Sequence, residues 1–343
     1  MFVAETSAVA APATSNSIFS WKQIAEPIDP FLNAVAARVG EQMREFDSGI
    51  GEYAGYALNG HGKQLRPALV ALSANSIGEL KDDHITVATI IEMVHLATLV
   101  HDDVMDEAEI RRGRLTLAAN WGNEIAVLLG DCLFAHSLKL AASFPTPEIC
   151  RAVASATNTV CAGEILQNQQ RKNFQLSRAD YFKVLEMKTA ELFALSCDLG
   201  GYLSGATPAQ RATLRRFGLA LGTAYQIYDD CVDLFGSEAV VGKSLGTDLA
   251  KGKLTLPVLL FLQRADASEK DRAQELIANC RPQELANVIK LLSKPDILAG
   301  STEVIEQYLD KARQTLATLP DGAGLASLTD YLSQQTERLG ACA

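Results

Sequence analysis

Six aspartates are the residues of this chain best placed to do chemistry together. They fall in two stretches, 99-LVHDDVMDEAEIRRG-113 and 225-YQIYDDCVDLFG-236. Asp102, Asp103 and Asp106 in the first share one spacing with Asp229, Asp230 and Asp233 in the second, the outer pair always four apart. On a helix, i and i+4 share a face, so each stretch aims two carboxylates one way. Like charges at that spacing weaken a helix, and carboxylates at its C-terminal end oppose the macrodipole. Two such clusters, each ending a long apolar run, ask for a cation. Mg²⁺ fits, because it prefers oxygen ligands, keeps waters and is bound by one or two carboxylates plus substrate phosphates. The paired aspartates of 81-KDDH-84 lack a third and sit in a polar, loop-like setting, so they are expected at the surface.

Basic residues complement the acids. They occur in 62-GKQLRP-67, 111-RRG-113, 188-KT-189 and 242-GKSLGTDLAKGK-253. A helical bundle that brings the acidic helix ends together can gather these at one cavity mouth, where Lys and Arg contact phosphate and Mg²⁺ bridges phosphate to aspartate.

Apolar residues recur at helical spacing nearly everywhere, which predicts an all-α chain. One helix is expected over 84–106. Others are expected over 30–46, 62–77, 123–143, 147–170, 178–204, 208–235, 255–264, 270–279, 283–292, 302–318 and 325–339. Irregular structure is expected over 107–118, 171–177 and 236–254. No Gly/Ser linker or charge block divides the chain, so residues 21–343 read as one helical domain behind a loose tail of residues 1–20.

With 343 residues, 48% of them hydrophobic, there is material for a large core. A net charge of −10 argues against a nucleic-acid partner held by a broad basic face. No run of about 18 apolar residues predicts a transmembrane helix, and the first sixteen residues resemble neither a secretory nor a transit leader. Seven scattered cysteines, without a CxxC pair, read as reduced, mostly buried thiols of a cytoplasmic protein. Cys231 lies among carboxylates, which raise a thiol pKa rather than activate it.

In order along the chain, GKQLRP, HLATLVHDDVMDEAEIRRG, GEILQ, KTAEL, YQIYDDCVDLFG and GTDLAKGK resemble the trans-type isoprenyl diphosphate synthases of the polyprenyl synthetase family. The resemblance runs from about residue 60 to 260. It implies an all-helical bundle around a deep apolar cavity, usually a homodimer, whose substrates are isopentenyl diphosphate and an allylic diphosphate. It implies that the six aspartates hold Mg²⁺, three ions with substrate bound, with Asp102, Asp106 and Asp229 as direct ligands. Arg111, Lys188 and Lys243 would contact the allylic diphosphate with Lys253 nearby, and Lys63, Arg66, His95 and Arg112 the isopentenyl diphosphate. Thr189 and Gln226 would line the reacting centre. His101 would support Asp102 or the packing, while Glu164 and Gln167 could merely cap or crosslink helices. Gln64 and Leu115 depart from the family pattern, where a basic residue and a proline are usual.

In such a reaction the allylic C–O bond breaks to a carbocation and diphosphate, so stabilising the leaving group is the main catalytic demand. Two rivals are a class I terpene cyclase and a non-catalytic subunit of a heteromeric synthase. The complete aspartate motifs and the set GKQLRP with RRG argue against both. Ala97 and Thr98 lie about one turn before Asp102. Both are small where family members that stop early tend to carry large aromatics, as are Ala154, Ser155, Ala156 and Thr157 on a second helix expected to face them. The expected product is therefore long, of the quinone side-chain type, rather than farnesyl or geranylgeranyl, although Phe134 could floor the cavity.

Overall fold

The computed structural model describes residues 20–58, 62–236, 245–279 and 285–342, with side chains to residue 340. The chain opens with α1 (Trp21–Ala25), a 3₁₀ turn at Glu26–Ile28, α2 (Asp29–Arg44), α3 (Ser48–Leu58) and α4 (Leu65–Asn75). Then come α5 (Asp82–Met105), a hairpin of β1 (Ile110–Arg111) and β2 (Arg114–Leu115), α6 (Leu117–Trp121), α7 (Asn123–Ala141) and α8 (Glu148–Gln169). Next are α9 (Arg178–Leu185), a π turn at Glu186–Ala190, α10 (Glu191–Leu203) and α11 (Pro208–Phe235). The short α12 (Thr247–Ala250) leads to α13 (Leu256–Arg264), α14 (Ala267–Ala278), α15 (Leu285–Leu292), α16 (Pro295–Leu316) and α17 (Ala323–Cys342).

Two helices carry the acidic stretches, and sequence explains their placement. In α5, Val87, Ala88, Ile90, Ile91, Met93, Val94 and Ala97 are buried, so the helix is apolar on several sides. It packs on α2, α4, α7 and α10. By length and mean hydropathy α5 could cross a membrane, but its apolar residues pack into the core. α11 starts at a capping box, with Thr207 Oγ1 accepting from the Gln210 amide and Pro208 at the first helical position. It packs on α10 and α16. A Cβ on Gly218 or Gly222 would lie 2.6 Å from the Cα of Ala194 or Ala190, so these glycines let α11 close on the chain before and within α10. Phe193, Phe217 and Phe261 are fully buried in the surrounding core, each contributing about 1.5–3 kcal/mol.

Most helices fall where periodicity predicts them, and the departures have local causes. α1, α3, α6 and α12 arise where no helix was expected. The pattern over 178–204 conceals the π turn, because five residues are too few to show a change of period. Residues 107–118 hold the hairpin, with Ile110 opposite Leu115 and Arg111 opposite Arg114. Asp82 and Asp83 are exposed as expected, but in the first turn of α5 rather than a loop. Their neighbour His84 is buried, its Nε2 3.1 Å from the Gly200 carbonyl. Of the cysteines, Cys197 and Cys231 are buried, Cys161 is exposed, and Cys132 and Cys150 lie between.

Candidate active site

The last turn of α5 spreads its aspartates among different cations. Asp103 is buried and takes Arg111 through Nε and Nη2, each 2.8 Å from Oδ1. Burial raises its carboxyl pKa, and Arg111 opposes that rise. Arg111 can turn back onto Asp103 because 111-RRG-113 forms the hairpin turn. Arg112 and Gly113 have φ of 52° and 74°, positive at both central positions, as a type I′ turn needs. Asp106 meets three cations: Arg171 at 2.8 Å, Lys253 at 3.0 Å and Lys251 at 3.1 Å. Burial pushes its carboxyl up, but Lys253 and Lys251 together outweigh it and hold the pKa below its usual value. Asp102 lies 3.6 Å from Lys188 Nζ. Burial raises its carboxyl pKa, with Lys188 pulling the other way.

Lys188 sits on the π turn between α9 and α10. Its Nζ pairs with Glu164 and donates to Gln167 Oε1 at 2.9 Å, both on α8. Burial lowers its pKa, but Asp102 and Glu164 more than reverse the shift. The contact needs α8 close to the turn, since a Cβ on Gly163 would stand 2.8 Å from the Lys188 nitrogen. Thus GEILQ supplies both the close approach and two partners of Lys188, roles that the sequence reading left to capping or crosslinking.

In the second motif, Asp230 and Asp233 accept from neutral donors of the described residues. Thr189 Oγ1 donates to Gln226 Oε1 at 2.8 Å, and Gln226 Nε2 donates to Asp230 Oδ1 at 2.9 Å. Tyr181 donates to Asp230 Oδ2 at 2.5 Å. Burial drives the Asp230 carboxyl well above its usual range and Asp248 adds to this, while the Tyr181 phenol is raised by burial beside Asp230. Asp233 accepts from Thr247 Oγ1 at 2.9 Å and from the Thr247 and Asp248 amides at 3.3 and 3.1 Å. It fastens α12 to α11. Asp229 is half-buried, near enough to Tyr225 for its charge to raise that phenol's pKa further, after burial.

Between these groups is a cleft whose polar lining includes Lys188, Thr189, Gln226, Asp230, Asp248 and Lys253. Beside it, Arg66, His95 and Arg112 gather around Glu92. Arg66 Nε is buried without a hydrogen-bond partner and its guanidinium lies 5.2 Å over the Phe193 ring. Burial lowers the Arg66 and Arg112 pKa values and raises that of Glu92, and the opposite charges oppose each shift. Burial, then Arg66, Arg112 and Arg111, push the His95 pKa well below its usual value, so its imidazole is neutral. Lys63 Nζ donates to Tyr331 Oη at 2.6 Å.

The fold therefore brings together all the expected site residues except Lys243, which lies outside the described residues. It adds Glu92, Glu164, Gln167, Arg171, Tyr181, Thr247, Asp248 and Lys251. GEILQ and GTDLAKGK were visible signals for five of these, whereas Glu92, Arg171 and Tyr181 become recognisable only in three dimensions. His101 serves packing: its Nε2 is 2.9 Å from the Val127 carbonyl and its ring meets Phe134 edge-on. Ala97 is fully buried on the His101 stripe of α5, while Thr98 is half-buried on the Asp102 stripe. Ala154 and Ser155 are exposed in this chain, so they do not line an interior channel in it.

Among the described residues no group of three His, Cys, Asp or Glu side chains is close enough to hold a metal by protein ligands alone. The donor set is nevertheless carboxylate oxygen on two facing helices, and it suits Mg²⁺ that takes part of its shell from phosphate. Asp103 and Asp233 already have donors on their oxygens.

The polyprenyl synthetase family profile matches residues 48–294. The nonaprenyl diphosphate synthase of Mycobacterium tuberculosis is 38% identical over 88% of this chain and 92% of its own length. Heptaprenyl diphosphate synthase component 2 of Bacillus subtilis is 37% identical over 82% of this chain and 81% of its own. A Caulobacter crescentus polyprenyl synthase solved with calcium and isoprenyl diphosphate superposes with a TM-score of 0.87 at 29% identity, covering 93% of this chain and 99% of that one. The profile match and the shared fold agree with the paired aspartate motifs: the chain belongs to the polyprenyl synthetase family and is a prenyltransferase.

Proposed function

We propose that this prenyltransferase joins isopentenyl diphosphate head-to-tail to an allylic diphosphate and repeats the addition to make a long all-trans polyprenyl diphosphate. The observation that carries this reading is the division of the site. Asp102, Asp106, Lys188 and Lys253 stand with Gln226 and Asp230 around one cleft, while Arg66, His95 and Arg112 form a second cationic group beside it. Two anion sites suit two diphosphates. A cyclase needs only one, and no motif aspartate or arginine is lost as a degenerate subunit would show.

Lys188 and Arg111 hold the allylic diphosphate and stabilise the charge that builds on it as the C–O bond breaks. Mg²⁺ on Asp102, Asp106 and Asp229, three ions with substrate bound, would supply further neutralisation of that leaving group. Thr189 and Gln226 flank the cation. Arg66 and Arg112, with neutral His95 as a hydrogen-bond partner, hold isopentenyl diphosphate so that its double bond can attack. The released diphosphate accepts the proton lost in the last step. Residues 21–343 act as one catalytic unit, a homodimer in the cytoplasm. The exposed Val127, Leu128 and Ile165 on α7 and α8 offer an apolar surface for the second copy.

The test incubates the purified protein with isopentenyl diphosphate, Mg²⁺ and each of the dimethylallyl, geranyl, farnesyl and geranylgeranyl primers, then weighs the dephosphorylated products. A ladder converging on one long chain is expected. Thr98→Phe should shorten it, Ala97→Phe less cleanly because that site is packed; a farnesyl or geranylgeranyl end point would refute the long-chain part. Kinship to a protein named as a component favours one second reading, a chain that needs a different subunit. That reading predicts no turnover by the protein alone.

A further inference from the structure

α17 lies beyond the last residue matched by the family profile, yet one of its side chains reaches the second cationic group. Tyr331 is buried at 3% exposure. Its hydroxyl accepts from Lys63 Nζ at 2.6 Å, and the same ammonium lies 5.2 Å from the ring centroid. Trp21 meets that ring edge-on, centroids 6.2 Å apart. Beneath lies a small apolar hollow, walled by Leu65, Phe193 and Tyr225 on one side and by Leu328, Tyr331 and Leu332 of α17 on the other. Phe193 is also the ring under the Arg66 guanidinium. The first and last described helices thus meet at the base of the Lys63 and Arg66 site.

A lysine ammonium is a point charge on a flexible four-carbon stem, and freezing that stem on binding costs affinity. A buried hydroxyl and ring that fix the ammonium beforehand remove part of that cost. We propose that Tyr331 is a positioning residue for Lys63, through which α17 sets the affinity for isopentenyl diphosphate. The inference rests on the reading of Lys63 as a contact of that substrate.

Tyr331→Phe keeps the ring against Trp21 and removes the hydroxyl that accepts from Lys63. The expected result is a KM for isopentenyl diphosphate raised about three- to tenfold, the worth of one hydrogen bond, with kcat, the allylic KM and Tm little changed. In a Lys63→Ala background the same substitution should add nothing. An unmoved isopentenyl KM overturns the proposal, as does a parallel rise in both KM values with a falling Tm, which marks a packing role alone. If Lys63→Ala itself leaves the isopentenyl KM unchanged, the substrate assignment of the site fails and the proposal with it.

Discussion

The two aspartate motifs have the same spacing and different partners among the described residues. On α5, Asp102, Asp103 and Asp106 are met by Lys188, Arg111, Arg171, Lys251 and Lys253, all cations. On α11, the partners of Asp230 and Asp233 among the described residues include a phenol, an amide side chain, a threonine hydroxyl and backbone N–H groups, which are neutral. Cations can transfer to an incoming diphosphate and leave their carboxylates for metal. Neutral donors have no such alternative partner of equal attraction, so they fix the second motif in place. The first motif is built to exchange partners and the second to stay.

The largest test of that contrast is catalytic. Asp102→Asn and Asp229→Asn should each lower kcat about a thousandfold, the scale of removing charge stabilisation from a leaving group, in steady-state condensation assays with folding checked by circular dichroism. Equal losses would show that motifs so differently held do equal chemical work; a loss at only one would end the symmetry. Next in size, Asp233→Ala should cost about 1–3 kcal/mol, the penalty for orphaning the donors of Thr247 and Asp248. Hydrogen exchange at those amides should rise before that of the α11 interior. Unchanged protection would deny Asp233 its fastening role.

The smallest effect is the sharpest in sign. The Asp106 pKa is held below its unfolded value, so its ionisation contributes stability above about pH 4 that is lost as pH falls through the folded pKa. The Asp230 pKa is raised, so its contribution is present below about pH 4 and is lost as pH rises through the folded pKa. At pH 7, without ligand, Asp106→Asn should therefore lower stability and Asp230→Asn raise it. Urea titrations at pH 7 and near pH 4 should show the difference shrinking with acid. Shifts of the same sign would refute the division into cationic and neutral surroundings.

Much of the site was legible because its signals are local. Four-residue spacing on a helix names Asp102 and Asp106 together, and the apolar run before them names α5. What escaped depends on distant meetings. Asp233 reads as a metal ligand until Thr247 and Asp248 arrive from the following segment, and Asp106 gives no hint that Arg171 and Lys251 will converge on it. The hairpin escaped because its strands are two residues each, too short to show alternation. Its turn, in hindsight, was written in RRG, whose glycine accepts the positive φ.

The wide turn at Glu186–Ala190 also bears on how the gene can change length. Regular helix advances about 100° per residue, so deleting or inserting a single codon here would swing one flank around relative to the other. Either Lys188 would turn from Glu164 or Thr189 from Gln226, while both helices remained helices. Sequence drift can exchange side chains in this stretch, but its residue count is fixed by the need to address α8 and α11 at once.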